Sequence, residues 1–235
     1  HVSNTPKQIL IYHALGFNVP IFAHLPMILG EDKKRLSKRH GAAGVNEYES
    51  MGYQPDALLN YLALLGWNPG TEEEIFDLGS LVKNFDIRKV QKRSATYDQK
   101  KFNWISSQHL MREDSDKVLN RLASIDPRWS ESRSQDYLIK IIDLMKPRSN
   151  SLTDLIDQSR YFFSSPKEFD SAQLQKIWKQ NTTEIIIELK SVLGAINSWV
   201  AIELESNFKS FIGERGFGIG EVMKPMRFLI CGSLQ

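Results

Sequence analysis

A chain of 235 residues with 41% hydrophobic residues is long enough to bury one large core or two to three small ones. Its formal net charge of +2 excludes indiscriminate nucleic-acid binding, so an RNA partner would have to be met by clustered basic residues. The single cysteine, Cys231, excludes an internal disulfide and any cysteine-based zinc site, which fits a reducing, cytoplasmic setting. Inside the apolar run Phe228 to Cys231, that thiol reads as core packing. No apolar stretch approaches the roughly 18 residues of a membrane helix. The chain opens at His1 without a methionine or a charged-then-apolar leader, and it is expected to be a fragment or a trimmed form.

Residues 3–16 carry helix signals: Asn4 or Thr5 as cap, Pro6 in the first turn and Gly16 as terminator. Residues 20–29 form a nearly continuous apolar run broken by His24, and are expected to be a buried strand feeding the stretch that follows. That stretch, Glu31 to Gly41, reads EDKKRLSKRHG. It gathers Lys33, Lys34, Arg35, Lys38 and Arg39 around Ser37, and Gly41 and Gly44 close it. Dense cations, a hydroxyl donor and glycines that let the backbone bend toward a ligand make a loop able to hold phosphate. A solvated basic turn is the other reading of the same pattern. His24 and His40 stand alone beside apolar or basic neighbours and read as packing or surface residues.

From Val45 onward the pattern is helical. Pro55 starts a helix with Leu58, Leu59, Leu62 and Leu65 at helical spacing, and Gly66-Trp67-Asn68-Pro69-Gly70 stops it. Thr71 with Glu74 reads as a capping box, 81–85 as a short helix, and Asp98 as the N-cap of a helix over 100–108. The run Arg88 to Arg93 is either a phosphate-backbone contact or an exposed helix face. Successive helices are then expected over 115–124, 132–145, 152–163, 171–180, 183–199 and 203–211, an all-helical, antiparallel region. Gly216-Phe217-Gly218-Ile219-Gly220 has the wrong spacing for a dinucleotide loop, and no strand precedes it. Tyr161, Phe162, Phe163, Trp178 and Trp199 read as core aromatics more than as base-stacking platforms. Arg148 follows Pro147 on an exposed, rigid connection. An arginine so placed forks hydrogen bonds onto a base edge, stacks on a base, or caps a helix C-terminus.

Arg35-Leu36-Ser37-Lys38-Arg39, with Asp32 before it and His40-Gly41 after it, resembles the second signature loop of class I aminoacyl-tRNA synthetases, in the KLSKR-HG form of the glutamyl-tRNA synthetase family. The flanks resemble that family in order and spacing: HVSNTPKQILIYHALG from His1, AHLPMILG from Ala23, YESMGYQPDALLNYLALLGW from Tyr48 and GEVMKPMRFLICG from Gly220. The resemblance covers essentially the whole chain. It implies a mainly α architecture: the end of a Rossmann-type catalytic domain in 1–32, the signature loop and a stem-contact helical domain in 33–113, and two all-α, helical-cage anticodon-binding subdomains in 114–165 and 166–235.

The activity so implied is ATP-dependent attachment of glutamate to tRNA(Glu) through glutamyl-adenylate. Arg35, Leu36, Ser37, Lys38 and Arg39 would lie at the ATP phosphates, Lys38 would be the catalytic cation, and Mg²⁺ would arrive with ATP. One departure is Arg35, a planar fork where the family usually carries lysine. Arg148 would lie against the last anticodon base, and Arg227, in Lys224-Pro225-Met226-Arg227, would approach the middle of the anticodon. No HxGH or HxGN signature occurs in the chain. The expectation is therefore a monomer that binds tRNA but does not form adenylate by itself. The competing expectation is a non-catalytic helical RNA-binding module. The related glutaminyl enzyme is expected to carry a β-barrel anticodon region, which the helical pattern argues against.

Overall fold

Helix starts follow the capping chemistry that the chain offers. In the computed structural model, which describes residues 1–37, 44–131 and 133–234, α1 (Thr5–Ala14) has Pro6 in its first turn and runs toward Gly16, whose φ of 70° suits glycine. Next come α2 (Val45–Ser50), α3 (Pro55–Leu64) and α4 (Leu78–Asn84), the last capped by Asp77 through the Ser80 N–H. Asp98 caps α5 (Gln99–Arg112) by accepting from the N–H groups of Lys100 and Lys101, and Asp114 does the same for α6 (Ser115–Ile125). Then follow α7 (Arg128–Glu131), α8 (Gln135–Met145) and α9 (Leu152–Gln158). Asp170 caps α10 (Ser171–Ile177); α11 (Thr182–Gly194), α12 (Ala201–Arg215) and α13 (Ile219–Cys231) complete the series. Two units form, His1–Asp157 and Gln158–Gln235.

In the first unit the core gathers where α3 packs on α5. Phe102 and Ile105 are fully buried among Tyr48, Leu58, Tyr61, Leu65, Ile75 and Tyr97. The Phe102 ring sits 5.3 Å from Tyr48 and 5.1 Å from Tyr61, centroid to centroid, and Tyr61 meets Tyr97 edge-on at 5.5 Å. Burial pushes the Tyr61 hydroxyl up to about 12 and raises Tyr97 as well. A neighbouring cluster joins Trp67, Phe76 and Leu81. Between the two lies Asn60, fully buried: its Nδ2 donates to the Glu74 carbonyl, and its Oδ1 meets the Phe76 N–H at 2.9 Å and His109 Nε2 at 3.0 Å. In the second unit, Ile185, Leu189, Phe211 and Val222 bring α11, α12 and α13 together.

Several expectations are corrected. The strand over 20–29 does not form. Only Leu29 pairs, antiparallel with Arg35 and parallel with Thr96, while Ile21 is fully exposed and Leu25 is 74% exposed. An apolar run becomes a strand where a sheet takes its N–H and C=O groups and covers its faces, and the described residues provide no such sheet. Thr71 and Glu74 cap nothing, because 71–77 is irregular; Glu74 instead pairs with Lys101. On α3 the buried face is Ala57, Leu58, Asn60 and Tyr61, with Leu59 and Leu62 turned outward. Trp199 is 68% exposed because α11 ends at Gly194, so helical spacing never carries the indole onto the core face. No helix among the described residues is long and apolar enough to cross a membrane.

Gly52 joins this frame to the start of α9. Its φ is 73°, its carbonyl accepts from the Leu152 N–H at 3.0 Å, and a Cβ there would stand 2.7 Å from the Thr153 nitrogen. Gly52→Ala is expected to lower stability by about 3 kcal/mol, read as a fall in the urea midpoint; an unchanged midpoint would show that 150–153 yields freely.

His109 is half-buried, and that burial holds its pKa below the ordinary 6.5. The folded state therefore takes up a proton less readily than the unfolded chain. The histidine's contribution is intact above pH 6.5 and is lost as pH falls through the depressed value. Below about pH 6.5 stability should decline more steeply than in His109→Gln. Urea midpoints across that range check this, and parallel profiles would contradict it.

Candidate functional site

The basic loop rises from a tight hairpin. Leu36 N–H donates to the Ile28 carbonyl at 2.9 Å, Gly30 N–H to the Lys34 carbonyl at 2.9 Å, and Lys33 N–H closes the turn onto the Gly30 carbonyl at 3.0 Å. Lys33 takes a φ of 62°, a left-handed conformation that costs a non-glycine residue about 1 kcal/mol. Two bonds offset that cost: Asp32 Oδ1 accepts from the Lys34 N–H at 3.0 Å, and Lys33 Nζ donates to Thr96 Oγ1 at 3.1 Å. On its other side Leu29 is bonded to 95–97, donating to the Ala95 carbonyl and accepting from the Tyr97 N–H, each at 2.8 Å.

Both feet of the segment 38–43 therefore stand on one core. Leu36 packs against the Phe102 cluster at the entry. At the exit, Gly44 N–H meets Glu47 Oε2 at 3.2 Å, and α2 carries Tyr48 into the same cluster, its hydroxyl 3.0 Å from that of Tyr97. Lys34 and Arg35 are exposed, and Ser37 is partly buried. Lys38 and Arg39 lie outside the described residues, as does His40.

The second basic run does not form a helix face. Arg88 and Lys89 sit in a 3₁₀ turn (Ile87–Lys89); Arg88 forks onto Asp86, and Lys89 Nζ donates to the Pro69 carbonyl at 2.8 Å. The guanidinium beside Asp86 holds that carboxylate below its usual range. Lys92 and Arg93 remain exposed, with no partner among the described residues. Because Thr96 touches Lys33, this run and the loop hairpin belong to one basic surface.

Arg148 ends a 3₁₀ turn (Lys146–Arg148) after α8 and is exposed. Its neighbour Lys146 is buried at 6% exposure, donating to the Glu113 carbonyl and, at 2.8 Å, to Ser115 Oγ. Ser106 Oγ donates to the Asn150 carbonyl at 2.6 Å, and Asn150 N–H donates to Asp154 Oδ2 at 2.8 Å, so the turn is bolted on both sides. Sequence reasoning missed Lys146, and no local signal marks it, since its acceptors lie more than 30 residues earlier. Arg227, in the second unit, is exposed on α13, while Val222, Pro225 and Phe228 form that helix's buried face. Cys231 is partly buried, as a packed thiol would be.

Two family models, which together match nearly the whole chain, are those of a class I aminoacyl-tRNA synthetase. The family model "tRNA synthetases class I (E and Q), catalytic domain" matches residues 1–104, and "Anticodon binding domain" matches 116–235. The glutamate–tRNA ligase of Syntrophobacter fumaroxidans is 38% identical over 99% of this chain and 50% of its own length; that of Moorella thermoacetica is 36% identical over 99% and 49%. A crystal structure of the glutamate tRNA ligase from Elizabethkingia meningosepticum, in complex with its amino acid, aligns with a TM-score of 0.78 at 29% identity, over 99% of this chain and 50% of that one. The chain belongs to the glutamyl-tRNA synthetase family, and it spans about half the length of the curated relatives it matches.

Lys146→Met should lower stability by about 2 kcal/mol, because the Glu113 carbonyl and the Ser115 hydroxyl lose their buried donor. Arg227→Ala, on an exposed face, should move stability by less than about 0.5 kcal/mol. Chemical denaturation of both variants checks this; equal losses would place Arg227 in the fold and not at a ligand surface.

Proposed function

We propose that the chain is the ATP-phosphate-binding and tRNA-binding portion of a glutamate–tRNA ligase, acting in the ATP-dependent attachment of glutamate to tRNA(Glu). The observation that carries this reading is the hairpin over 28–36, which sets the exposed cations Lys34 and Arg35 on a base locked from both sides. Its donor set fits a polyphosphate: a guanidinium fork, an ammonium and the Ser37 hydroxyl stand within four consecutive residues.

ATP, bound with Mg²⁺ on its phosphates, would supply the activated phosphate that makes the glutamate carboxyl reactive. The chain's part is positioning and charge neutralisation. Arg35 and Ser37 would orient the phosphates, Lys38 would offset charge developing on the leaving pyrophosphate, and Leu36 would hold the backbone register through its core contact, with Arg39 adding a further cation. Residues 1–32 would serve as the end of the catalytic domain, 33–113 as loop and stem contact, and 114–165 and 166–235 as anticodon-binding subdomains. The working form is proposed to be a cytoplasmic monomer.

Arg148 is proposed to read the last anticodon base and Arg227 to approach the middle one. Both are exposed, and Lys146 fixes the turn beneath Arg148. Titration of the chain with tRNA(Glu) transcripts, wild type and altered at the third anticodon base, tests this. The wild-type chain should prefer the unaltered transcript by about tenfold or more, and Arg148→Ala should abolish the preference. Equal, steeply salt-dependent binding to every transcript would leave phosphate contact as the chain's only role.

A further inference from the structure

In the unit Gln158–Gln235, the end of α10 and the starts of α11 and α13 enclose a cleft of about 280 Å³. Lys176, Lys179 and Lys224 line it together with one carboxylate, Glu221. That carboxylate is already engaged: Oε2 accepts from the Gly218 N–H at 3.0 Å, and Oε1 lies 3.6 Å from Lys179 Nζ. Neither Lys176 nor Lys224 has an ion-pair partner among the described residues. The cleft is therefore left with an excess of positive charge on a concave surface, where the ammonium groups repel one another until an anion enters.

Neutral donors reinforce the lysines. Thr182 lines the cleft at 3% exposure; its oxygen accepts from the Lys179 N–H at 2.9 Å, and its own proton has no acceptor among the described residues. The N–H group of Gly220, which lines the cleft, belongs to the first turn of α13, where no helical carbonyl lies behind it. Gly220 is exposed and carries no side chain to keep a ligand from the backbone. A buried hydroxyl, a first-turn amide and two unpaired ammonium groups together suit a tetrahedral oxyanion.

We propose that this cleft seats a backbone phosphodiester of the RNA, an inference that rests on the tRNA-binding reading above. It grips the polymer without reading sequence, separately from the arginines assigned to bases.

The test is titration of the full chain with the tRNA(Glu) transcript over a range of salt concentrations. In the variant carrying Lys176→Ala and Lys224→Ala, the slope of log affinity against log salt should fall by about 0.7 or more, one phosphate's share. Preference between anticodon transcripts should be unchanged. Lys190→Ala, an exposed lysine of α11 outside the cleft, should leave the slope alone. An unchanged slope in the double variant, or an equal fall in Lys190→Ala, overturns the proposal.

A second arm uses inorganic phosphate and the amide resonances of Thr182 and Gly220, which should shift in the wild-type chain and stay put in the double variant. If the chain fails to bind tRNA while those resonances still respond, the tRNA reading falls and the phosphate site stands. If tRNA binds but the resonances and the slope are unmoved, the site falls and the tRNA reading stands.

Discussion

The packing of Phe102 against Tyr48, Tyr53 and Tyr61 carries the first unit. Those rings come from three places far apart in the chain: the helix after the basic loop, the α3 region and α5. Leu36 enters the same cluster from before the loop. One apolar core therefore holds the residues on either side of 38–43, Leu36 before them and Tyr48 after.

Charge is divided between structure and ligand with equal economy. Arg88, Lys89, Lys33 and Lys146 each end on a protein oxygen and fix a turn. Lys34, Arg35, Lys92 and Arg93 stay exposed on one basic surface. With a net charge of only +2, that sorting concentrates exposed positive charge of this unit on one surface. It also explains why counting basic residues along the chain says little about which of them are spent on the fold.

Much of the helical order was legible. Pro55 and Asp98 announce their helices through first-turn and capping chemistry that acts within three residues, and Gly16 sits where the backbone turns left-handed after α1. The run 35–39 and Arg148 stood out in the sequence as concentrated or rigidly placed cations, and the structure shows Arg35 and Arg148 exposed. Residues 20–29 were misread, since apolarity signals burial without saying what provides it. Trp199 was misread because aromatic spacing cannot tell where a helix stops.

What the sequence by itself determined is local: where helices begin, which loop gathers cations, and the family that this pattern resembles. Only the tertiary structure decided that Lys33 reaches Thr96, that Lys146 is buried under Arg148, and that Lys176, Thr182 and Lys224 line one cleft. The Lys146–Glu113 and Lys33–Thr96 bonds span 33 and 63 residues of chain. Capping and turn preferences act over a few residues, whereas partners at that range are chosen by which apolar faces pack together. The chain sets that choice only through the core as a whole.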